Sequence, residues 1–493
     1  MTDYRDEYRR WCEDSYFDDK TRQELKALTS EEEIRDRFSR ELEFGTGGLR
    51  GIMGAGLNRM NRYTVRKATQ GLANYINSQE RTERKAVIAY DSRHNSAEFA
   101  MEAAMTLAAN GIKAYKFESL RPTPELSFAV RELGCVAGIN ITASHNPPEY
   151  NGIKFFNAKG YKLADAIEDE IEKLVSEGIG EQLPTGLGVG RRVRLRNAPR
   201  EYADFLVESS PVRLDGLKVV LDCANGASSA LAGEVFSRLG AEVYAHYNMP
   251  DGANINDNCG STHPGNLQIL VNEYGADVGL AFDGDADRLI AVDEFGRIID
   301  GDRIMAICAL DMKERGCLAK NTLVATVMSN LGLELSLKPQ GIEIVKTGVG
   351  DRYVLEEMLA SGYNFGGEQS GHLIFLDHNT TGDGMLSGIA LLGVMKRKGK
   401  TLSELANAVE ILPQVLVNAK VSEEKKFDYD KDEEILAEIA RLEQQMAGQG
   451  RVLIRTSGTE PLVRVMIEGK DKKAIGAEAV KIARLIEQKL GGK

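Results

Sequence analysis

Three stretches of the chain repeat the same order of hydrophobic and polar segments. Each opens with a short apolar run rich in β-branched residues, which predicts a buried strand, and then breaks at small or polar residues. A helical pattern follows and ends at a glycine, Gly111, Gly240 or Gly341, before a second strand pattern begins. These β-α-β units start at residues 86, 218 and 322. They predict an α/β protein with three tandem α/β domains, whose sheets are mixed and largely parallel.

The two ends of the chain have different patterns. The last segment reads as strand, strand–loop–strand and amphipathic helix, which predicts a small C-terminal α+β domain. The highly charged residues that precede FGTGGLRG have helical spacing and predict an N-terminal helical extension. The segment LPTGLGVG, residues 183–190, is the best linker candidate. We expect domains at residues 1–190, 191–300, 301–412 and 413–493.

A polar loop follows a strand in each of these predicted domains. TASHNP follows VAGINI, DGDADR follows VGLAF, GGEQSGH follows YNF, and RTSGTEP lies in the tail. Ligands of open α/β sheets bind outside the carboxyl ends of the strands. The first three loops can therefore meet around one cleft.

The composition narrows the class of protein. At 493 residues, with 42% hydrophobic and 28% charged positions, the chain has enough apolar material for several cores. The net charge of −12 argues against a nucleic-acid partner or an anionic membrane surface. The six cysteines form no CxxC pair, the N-terminus lacks the apolar segment of a signal peptide, and no apolar run is long enough to span a membrane. We expect a cytoplasmic protein that binds no nucleic acid and no membrane.

The loop DGDADR has the composition of a metal site. Asp283, Asp285 and Asp287 alternate on a chain that leaves a strand, and a turn would bring their carboxylates together. Three close carboxylates repel each other unless a cation neutralises them, and all-oxygen ligands suit Mg²⁺. An EF-hand is disfavoured, because its sixth position requires glycine and Arg288 stands there. A solvated acidic turn is the structural alternative.

Three other loops have the residues of anion or sugar sites. RTSGTEP and the strand after it offer hydroxyl and backbone donors and two arginines, which can hold a phosphate. The residues of this candidate phosphate site are Arg455, Ser457, Gly458, Thr459 and Arg464. Arg50 in GGLRG also indicates an anion, and GGEQSGH offers Glu368, Ser370 and His372, whose carboxylate and hydroxyl suit vicinal sugar hydroxyls. Each loop taken alone also fits an ordinary turn.

Ser144 stands directly before His145 in TASHNP, which raises the question of an acyl-transfer serine. The flanking residues do not fit the hydrolase elbow G-x-S-x-G, and adjacent residues of an extended stretch point to opposite faces. A turn serine before Asn146 and Pro147 and a serine that carries phosphate both stay open. The second hypothesis explains why a metal loop, two arginine-bearing loops and a sugar-type loop occur in one chain.

TASHNP, DGDADR, GEQSGH and RTSGTEP, in this order, resemble the four signature loops of the α-D-phosphohexomutase superfamily, and the resemblance covers essentially the whole chain. It implies four domains in a heart-shaped arrangement, with one loop from each domain lining a central cleft. It also implies that Ser144 is a phosphoserine. One Mg²⁺ per chain would then bind between its phosphate and the carboxylates of Asp283, Asp285 and Asp287.

By the same resemblance, other residues have roles at the cleft. The residues near the transferred phosphoryl group are Arg50, His145, Lys154 and Arg288. Lys154 is slightly preferred over His145 as the general acid/base. The substrate-binding residues are Glu368, Ser370 and His372 for the sugar and Arg455, Ser457, Gly458, Thr459 and Arg464 for the phosphate that the substrate already carries.

The implied reaction interconverts hexose 6-phosphate and hexose 1-phosphate. Phosphoserine gives its phosphoryl group to the free hydroxyl of the substrate, and the resulting hexose 1,6-bisphosphate turns over in the cleft and returns its other phosphate to Ser144. The bisphosphate is thus intermediate and activator, the partner is a small phosphosugar, and the chain is expected to be a monomer or a homodimer. A Mg²⁺-dependent phosphohydrolase and a non-catalytic sugar-phosphate sensor are the competing hypotheses.

The resemblance divides between branches of the superfamily. The sugar loop and the second and third domains, with DGANINDNCGSTHPGN and VGDRYVLEEM, resemble bacterial phosphoglucosamine mutases. The first domain, with its helical extension, FGTGGLRG and RPTPELSFAV, resembles the phosphoglucomutase/phosphopentomutase branch. Because the second and third domains frame the hexose, we expect glucosamine phosphate as substrate, with glucose phosphate next and mannose or pentose phosphate less favoured. Val349 stands where mannose-using relatives commonly have histidine, which makes mannose phosphate a less favoured substrate.

Overall fold

The computed structural model describes residues 3–45, 48–80, 83–176, 188–195, 197–456 and 461–491. The chain divides into two compact units. The first unit consists of Met1–Val327 and Val345–Ala406, and the second of Met328–Ile344 and Asn407–Lys493. This division is coarser than the four domains expected from the sequence, whose boundaries stay a prediction. Most of the candidate linker 183–190 lies outside the described residues.

The first unit begins with the expected helical extension. Its helices are α1 (Tyr4–Glu13), α2 (Asp19–Lys26) and α3 (Glu31–Phe38). The side chains of Asp3, Asp18 and Ser30 accept hydrogen bonds from backbone N–H groups of their first turns. Such caps satisfy donors that the first turn of a helix leaves without a partner. Trp11 stacks on Phe17 with ring centroids 4.2 Å apart, and the helices bury a small aromatic core of their own.

The first sheet is mixed. Its strands are β1 (Phe44–Gly45), β2 (Gly48–Ile52), β3 (Lys85–Tyr90), β4 (Lys113–Phe117), β5 (Ala137–Ile141), β6 (Tyr150–Asn157) and β7 (Arg192–Leu195). Its helices are α4 (Arg62–Ser78), α5 (Ser96–Ala109), α6 (Thr123–Glu132) and α7 (Asp165–Ser176). The strands pair in the order β1-β2-β6-β5-β3-β4-β7. They run antiparallel from β1 to β5 and parallel from β5 to β7.

Strand β3 shows why this part of the sequence is an unbroken apolar run. Ile88 belongs to the core on the side of α4 and α5, whereas Val87 belongs to the core on the side of α6. Successive residues of a strand point to opposite faces of the sheet. A strand covered by helices on both faces therefore needs apolar residues at every position.

The second sheet repeats this plan on a smaller scale. Its strands are β8 (Lys218–Asp222), β9 (Glu242–His246), β10 (Val278–Phe282), β11 (Leu289–Asp293) and β12 (Ile298–Ile299). Its helices are α8 (Ala198–Glu208), α9 (Ala232–Arg238) and α10 (Gly265–Tyr274). The order is β12-β11-β10-β8-β9. Strand β8 is parallel to β9 and β10, and β10, β11 and β12 are successive antiparallel neighbours.

The third sheet has the order β14-β13-β15-β16, where β13 is Thr322–Thr326, β14 is Glu343–Thr347, β15 is Phe365–Gly367 and β16 is Leu373–Phe375. The helices of this part of the chain are α11 (Gly301–Glu314), α12 (Leu331–Leu337), α13 (Asp351–Ser361), α14 (Gly384–Lys398) and α15 (Leu402–Ala406). Strand β13 is parallel to β15, which is antiparallel to β16. The mixed α/β sheets predicted from the repeats are thus confirmed.

The second unit has the α+β pattern predicted for the tail. Its elements are β17 (Gln414–Lys420), α16 (Glu433–Met446), β18 (Gly450–Thr456), β19 (Leu462–Gly469) and α17 (Lys472–Leu490). The strands are antiparallel in the order β17-β19-β18, and α17 packs on β17 and β19. This unit also includes α12, because the buried Glu468 carboxylate accepts hydrogen bonds from Leu331 N (3.0 Å) and Asn330 Nδ2 (3.3 Å).

The glycines that were expected to end helices do so. Gly111, Gly240 and Gly341 have φ values of 80°, 99° and 70°, and each follows a helical turn. This left-handed backbone is readily available to glycine, which has no Cβ. Among the described residues, no helix has the length and apolar character needed to cross a membrane.

Candidate active site

The three aspartates of DGDADR converge in the structure. They lie in the turn between the antiparallel strands β10 and β11, and Ala286 has a left-handed φ of 59° inside that turn. One carboxylate oxygen from each of Asp283, Asp285 and Asp287 lies within 4.8 Å of the others. All three side chains are buried. The turn therefore gathers an acidic triad, Asp283, Asp285 and Asp287, at the carboxyl end of β10.

Each member of the acidic triad has a different electrostatic environment. Burial, and then the charges of Asp287 and Asp285, raise the pKa of Asp283 well above its usual range. Burial also disfavours the charged form of Asp285, but the Lys154 ammonium and its hydrogen bond lower that pKa. Against the same burial, His372 and Lys154 hold the pKa of Asp287 well below its usual range. Asp283 is therefore the member whose charged form gains most from an added cation.

Two oxygens of the acidic triad are suited to bind a cation. Asp285 Oδ1 and Asp287 Oδ1 are buried and accept no hydrogen bond from any described residue. A buried polar oxygen without a partner costs free energy, and converging carboxylates attract a cation. Their all-oxygen donor set suits a hard divalent ion such as Mg²⁺. The residues present therefore fit a metal ion.

Ser144 lies just beyond the carboxyl end of β5 and faces the acidic triad. Its Oγ donates a hydrogen bond to Asp283 Oδ2 across 2.8 Å, and its backbone N–H donates to Thr142 Oγ1 across 2.9 Å. Its φ of 53° lies in the left-handed region, which serine seldom adopts. Such strain costs about 1–3 kcal/mol and persists only where surrounding contacts enforce it. The fold thus holds this hydroxyl against a candidate metal ligand.

Arg93, which no sequence pattern had marked as functional, supplies many of those contacts. Its buried guanidinium donates to backbone carbonyls of the serine loop, residues 142–150. These carbonyls belong to Ser144, Asn146, Pro147 and Tyr150. Arg93 Nε donates to Asp91 Oδ2 (3.0 Å), and Asn256 Nδ2 donates to the Ser144 carbonyl (2.9 Å). The polar segment DSRHNS at the carboxyl end of β3 is the signal that could have indicated this clamp.

The close approach of the two loops also requires a glycine at position 284. A Cβ on Gly284 would lie 2.6 Å from the Ser144 carbonyl oxygen and 2.9 Å from Asn256 Nδ2. Contacts of this length force atoms apart, and one of these two atoms belongs to the backbone. The absence of a side chain at Gly284 therefore lets the serine loop reach the acidic triad.

His145 lies beside Ser144 but makes only a long contact with it. Nδ1 is 3.4 Å from Ser144 Oγ, whereas Asp283 accepts the serine hydrogen bond across 2.8 Å. Burial, and then the charges of Arg288 and Arg50, lower the pKa of His145 to about 4. The imidazole is therefore neutral at pH 7. The long contact and the low pKa of the ring both argue against a serine–histidine couple for acyl transfer.

Basic side chains surround the serine and the acidic triad. Lys154, on β6, is fully buried, and its Nζ donates to Asp285 Oδ2 across 2.7 Å. Arg288 directly follows the triad, and its Nε lies 3.9 Å from Asp287 Oδ1. Arg50, on β2, donates to Asn146 Oδ1 in the serine loop across 3.2 Å. The structure therefore brings these sequence-predicted residues to one place.

The sugar-type loop lies between β15 and β16. Glu368 is half-buried and Ser370 is exposed, so both side chains are accessible to a ligand. His372 instead is buried, with Nδ1 3.4 Å from Asp287 Oδ2 and Nε2 3.2 Å from Asp351 Oδ2. The sequence grouped His372 with the sugar ligands, whereas in the structure its ring contacts the acidic triad.

The candidate phosphate site of the second unit is described in part. Arg455 on β18 and Arg464 on β19 are direct cross-strand partners and so lie on the same face of the sheet. Burial, and then the charge of Arg464, lower the pKa of Arg455. Ser457, Gly458 and Thr459 lie outside the described residues. Two like charges in this register are unfavourable by themselves and favour a bound anion.

The fold and the site together define a class of enzyme, the phosphosugar mutases. Their features are tandem mixed α/β sheets, a separate α+β unit and a strained serine on a buried acidic triad. The chain belongs to the phosphoglucomutase/phosphomannomutase family. Its alpha/beta/alpha domains I, II and III match residues 41–180, 200–296 and 300–411, and its C-terminal domain matches residues 416–485. The resemblance of the four loops to the α-D-phosphohexomutases is thus confirmed, and so is the fold class.

Individual proteins agree with this family. The phosphoglucosamine mutase of Thermoanaerobacter sp. (strain X514) is 52% identical over 448 residues, which are 91% of this chain and 99% of that protein. A phosphoglucomutase/phosphomannomutase family protein from Burkholderia thailandensis has a similar fold, with a TM-score of 0.75 and 24% identity over 90% of this chain and 96% of its own. Aspergillus fumigatus N-acetylphosphoglucosamine mutase, solved with GlcNAc-6P and magnesium, has a TM-score of 0.63 and 18% identity over 91% and 96% of the two chains.

Proposed function

We propose that this chain is a phosphoglucosamine mutase, which interconverts glucosamine 6-phosphate and glucosamine 1-phosphate. A phosphoserine at Ser144 and a glucosamine 1,6-bisphosphate intermediate carry the reaction. The observation that supports this most directly is the contact of the buried, strained Ser144 with Asp283 of the acidic triad. The choice of glucosamine follows the relative that is 52% identical over nearly its whole length.

The acidic triad would hold one Mg²⁺ together with the phosphate on Ser144. When bound, the ion would neutralise charge on the phosphoryl oxygens, which is the main requirement of phosphoryl transfer. The chain itself places Arg288 and Arg50 beside the same group. The three triad carboxylates are not nucleophiles in this scheme, because the hydroxyl of Ser144 takes up the phosphoryl group.

The transfer exchanges one phosphorus–oxygen bond for another. The free hydroxyl oxygen of the sugar attacks phosphorus, the bond from phosphorus to Ser144 Oγ breaks, and the sugar's hydroxyl proton ends on Ser144 Oγ. Lys154, whose Nζ lies 2.7 Å from Asp285 Oδ2, is the preferred residue to carry this proton, with His145 as the alternative. Burial, and then the charges of Arg288 and Arg50, lower the pKa of His145 to about 4, which makes its neutral imidazole a weak proton acceptor at pH 7.

Two sets of residues have proposed substrate-binding roles. Glu368 and Ser370 would bind sugar hydroxyls, with His372 behind them against Asp287. Arg455 and Arg464, with Ser457, Gly458 and Thr459, which lie between them in the sequence, would hold the phosphate that does not react. The cross-strand arginine pair supports this assignment. A monomeric or homodimeric state, cytoplasmic location and an activating hexose 1,6-bisphosphate stay predictions from the sequence.

The competing substrate is glucose phosphate, which the resemblance of the first domain to phosphoglucomutases favours. The test is kcat/KM for glucosamine 1-phosphate, glucose 1-phosphate and mannose 1-phosphate, each with a trace of the matching bisphosphate. We expect the highest value for glucosamine 1-phosphate. A tenfold preference for glucose, about 1.4 kcal/mol in the transition state, would reverse the order of the two substrates.

Matched serine variants test the chemistry. Ser144→Ala should abolish mutase activity on every sugar, whereas Ser78→Ala, at an exposed serine in the last turn of α4, should leave it unchanged. A fully active Ser144→Ala enzyme would exclude the phosphoserine mechanism. Release of inorganic phosphate as the main product would favour the phosphohydrolase hypothesis instead.

A further inference from the structure

A second group of ionisable side chains lies behind Asp287. Lys162 and His372 approach its carboxylate, and Asp351 contacts both of them. The side chains of Lys162, Asp351 and His372 are 10%, 16% and 2% exposed. Asp351 belongs to VGDRYVLEEM, a segment to which the proposed reaction assigns no role. The group of Lys162, Asp351 and His372 is called the support cluster below.

The two oxygens of Asp287 have different surroundings. Oδ2 lies 3.4 Å from His372 Nδ1 and 3.9 Å from both Lys162 Nζ and Lys154 Nζ. Oδ1 accepts no hydrogen bond from a described residue. Lys154, Lys162 and His372 therefore approach Oδ2, whereas Oδ1 has Arg288 Nε 3.9 Å away, beyond hydrogen-bond distance, and stays available to a ligand.

Asp351 holds the basic members of the support cluster in place. Its Oδ2 contacts Lys162 Nζ as an ion pair and lies 3.2 Å from His372 Nε2, which accepts a hydrogen bond from the Gly382 N–H (3.0 Å). Asp351 is the first residue of α13, where the helix N-terminus stabilises a carboxylate and the helix limits its movement. Lys162 and His372 each lie between Asp351 and Asp287, so a shift of Asp351 would reach Asp287 through both.

The support cluster joins segments that are far apart in the sequence. Lys162 follows β6 of the first sheet and Asp287 follows β10 of the second. Asp351 begins α13, and His372 precedes β16 of the third sheet. A buried ion pair rarely adds net stability over apolar residues of similar volume, because both ions lose their hydration. A role in orienting the carboxylate gives a reason for keeping these four groups together with little exposure to solvent.

We propose that Asp351 and Lys162 are positioning residues for the metal site. Through Lys162 and His372, Asp351 fixes the orientation of the Asp287 carboxylate so that Oδ1 faces the metal ion. This inference rests on the proposed function, because it takes the acidic triad as the metal site. Groups that orient the ligands of a metal typically change its affinity by about 10–100-fold when they are removed.

The experiment measures Mn²⁺ affinity on the full-length, metal-free protein by the EPR signal of free Mn²⁺. Mn²⁺ is the probe because it shares the preference of Mg²⁺ for carboxylate oxygen. We expect Asp351→Asn to weaken Mn²⁺ binding by about 10–100-fold. With Mg²⁺ at a fixed concentration below saturation, kcat should fall by a similar factor, and KM for the phosphosugar should change less than twofold. Lys162→Arg, which keeps the charge, should retain more affinity than Lys162→Met.

Asp311→Asn is the matched control. Asp311 is also a buried aspartate with two basic partners, Arg315 (2.8 Å) and Arg397 (2.7 Å), but it lies on α11 outside the site. Its variant should lose stability and keep the Mn²⁺ affinity of the unmodified protein. Equal losses of affinity in both variants would mean that general destabilisation explains the effect, and would overturn the inference.

A double variant covers the case in which Asp351→Asn does not fold. Lys162→Met with Asp351→Leu removes both charges at once, a change that buried ion pairs often tolerate. Its Mn²⁺ affinity should fall by the same factor, and unchanged affinity in the double variant or in a folded Asp351→Asn would overturn the inference. Asp285→Asn tests the metal site separately from the positioning role of Asp351 and Lys162. If Asp285→Asn has no effect on Mn²⁺ binding, the acidic triad is not the metal site and the proposed function fails as well.

Discussion

Arg93 is the residue whose substitution should test most severely how the serine loop is held. Arg93→Lys keeps the positive charge but replaces a planar group with several donors by a single ammonium. In the structure the guanidinium donates to Asp91 and to the carbonyls of Ser144 and Asn146, at 3.0, 2.8 and 2.7 Å. An ammonium at one point cannot reach all of these acceptors. The variant should therefore weaken both the ion pair and the clamp on Ser144.

The expected losses follow from burial and strain. The side chains of Arg93 and Asp91 are 0% exposed, and removing one partner of a buried ion pair costs about 3–5 kcal/mol. Lysine retains part of the interaction, so we expect about 2 kcal/mol for Arg93→Lys and the full amount for Arg93→Met. Ser144, with a φ of 53°, should relax once the clamp loosens. A displacement of about 1 Å at a reacting group can cost about 100-fold in rate.

Urea unfolding and mutase kinetics measure the two effects separately. Arg93→Lys should stay folded and lose at least about tenfold in kcat, with a smaller change in KM, because the clamp acts on the serine and not on the sugar site. Arg397→Lys, at another arginine that pairs with a buried aspartate, is the matched control and should keep its activity. An Arg93→Lys enzyme with normal stability and normal kcat would refute the reasoning.

Substitutions of Glu125, Gly284 and Asp283 should also change stability, activity or the response to Mg²⁺. Burial raises the pKa of Glu125 from 4.5 to about 8, so the stability of the protein should fall as pH rises through this range. In urea unfolding, Glu125→Gln should therefore gain about 1.4 kcal/mol of stability per pH unit relative to the unmodified protein. A constant difference in stability between pH 5 and 8 would contradict this. Gly284→Ala should remain folded by circular dichroism and lose about 100-fold in activity, because the new methyl group meets the Ser144 carbonyl. The control Gly265→Ala, whose methyl group meets nothing within 4 Å, should keep its activity. Asp283→Asn should raise the Tm of the metal-free protein, because it removes a carboxylate that burial and its acidic neighbours disfavour. It should also remove the stabilisation by Mg²⁺, which is about 2.7 kcal/mol at 100 times Kd. An undiminished effect of Mg²⁺ would count against the acidic triad as the metal site.

The loops of the site could be predicted because their signals are local. An apolar run that ends in alternating aspartates places the acids at the carboxyl end of a strand, and Asp283, Asp285 and Asp287 converge there as expected. The same logic placed Ser144 just beyond the end of β5. Helix ends at glycine are equally local, since they depend on the backbone of one residue.

Other features depend on contacts between distant segments and left no local signal. Arg93 reaches the Ser144 carbonyl across 51 residues of sequence, and Asn330 reaches Glu468 across 138. The second contact explains why α12, which reads as part of the third α/β repeat, belongs to the same compact unit as the C-terminal sheet. The sequence groups His372 with the sugar ligands because it shares their loop, but in the structure its ring lies against Asp287.

The most direct test of the account is the intact mass of the purified enzyme after incubation with a hexose 1,6-bisphosphate. We expect the added mass of one phosphoryl group, located on the peptide that contains Ser144 and absent from Ser144→Ala. An unmodified protein that is nevertheless a fully active mutase, or a phosphoryl group on Asp283, Asp285 or Asp287, would contradict it.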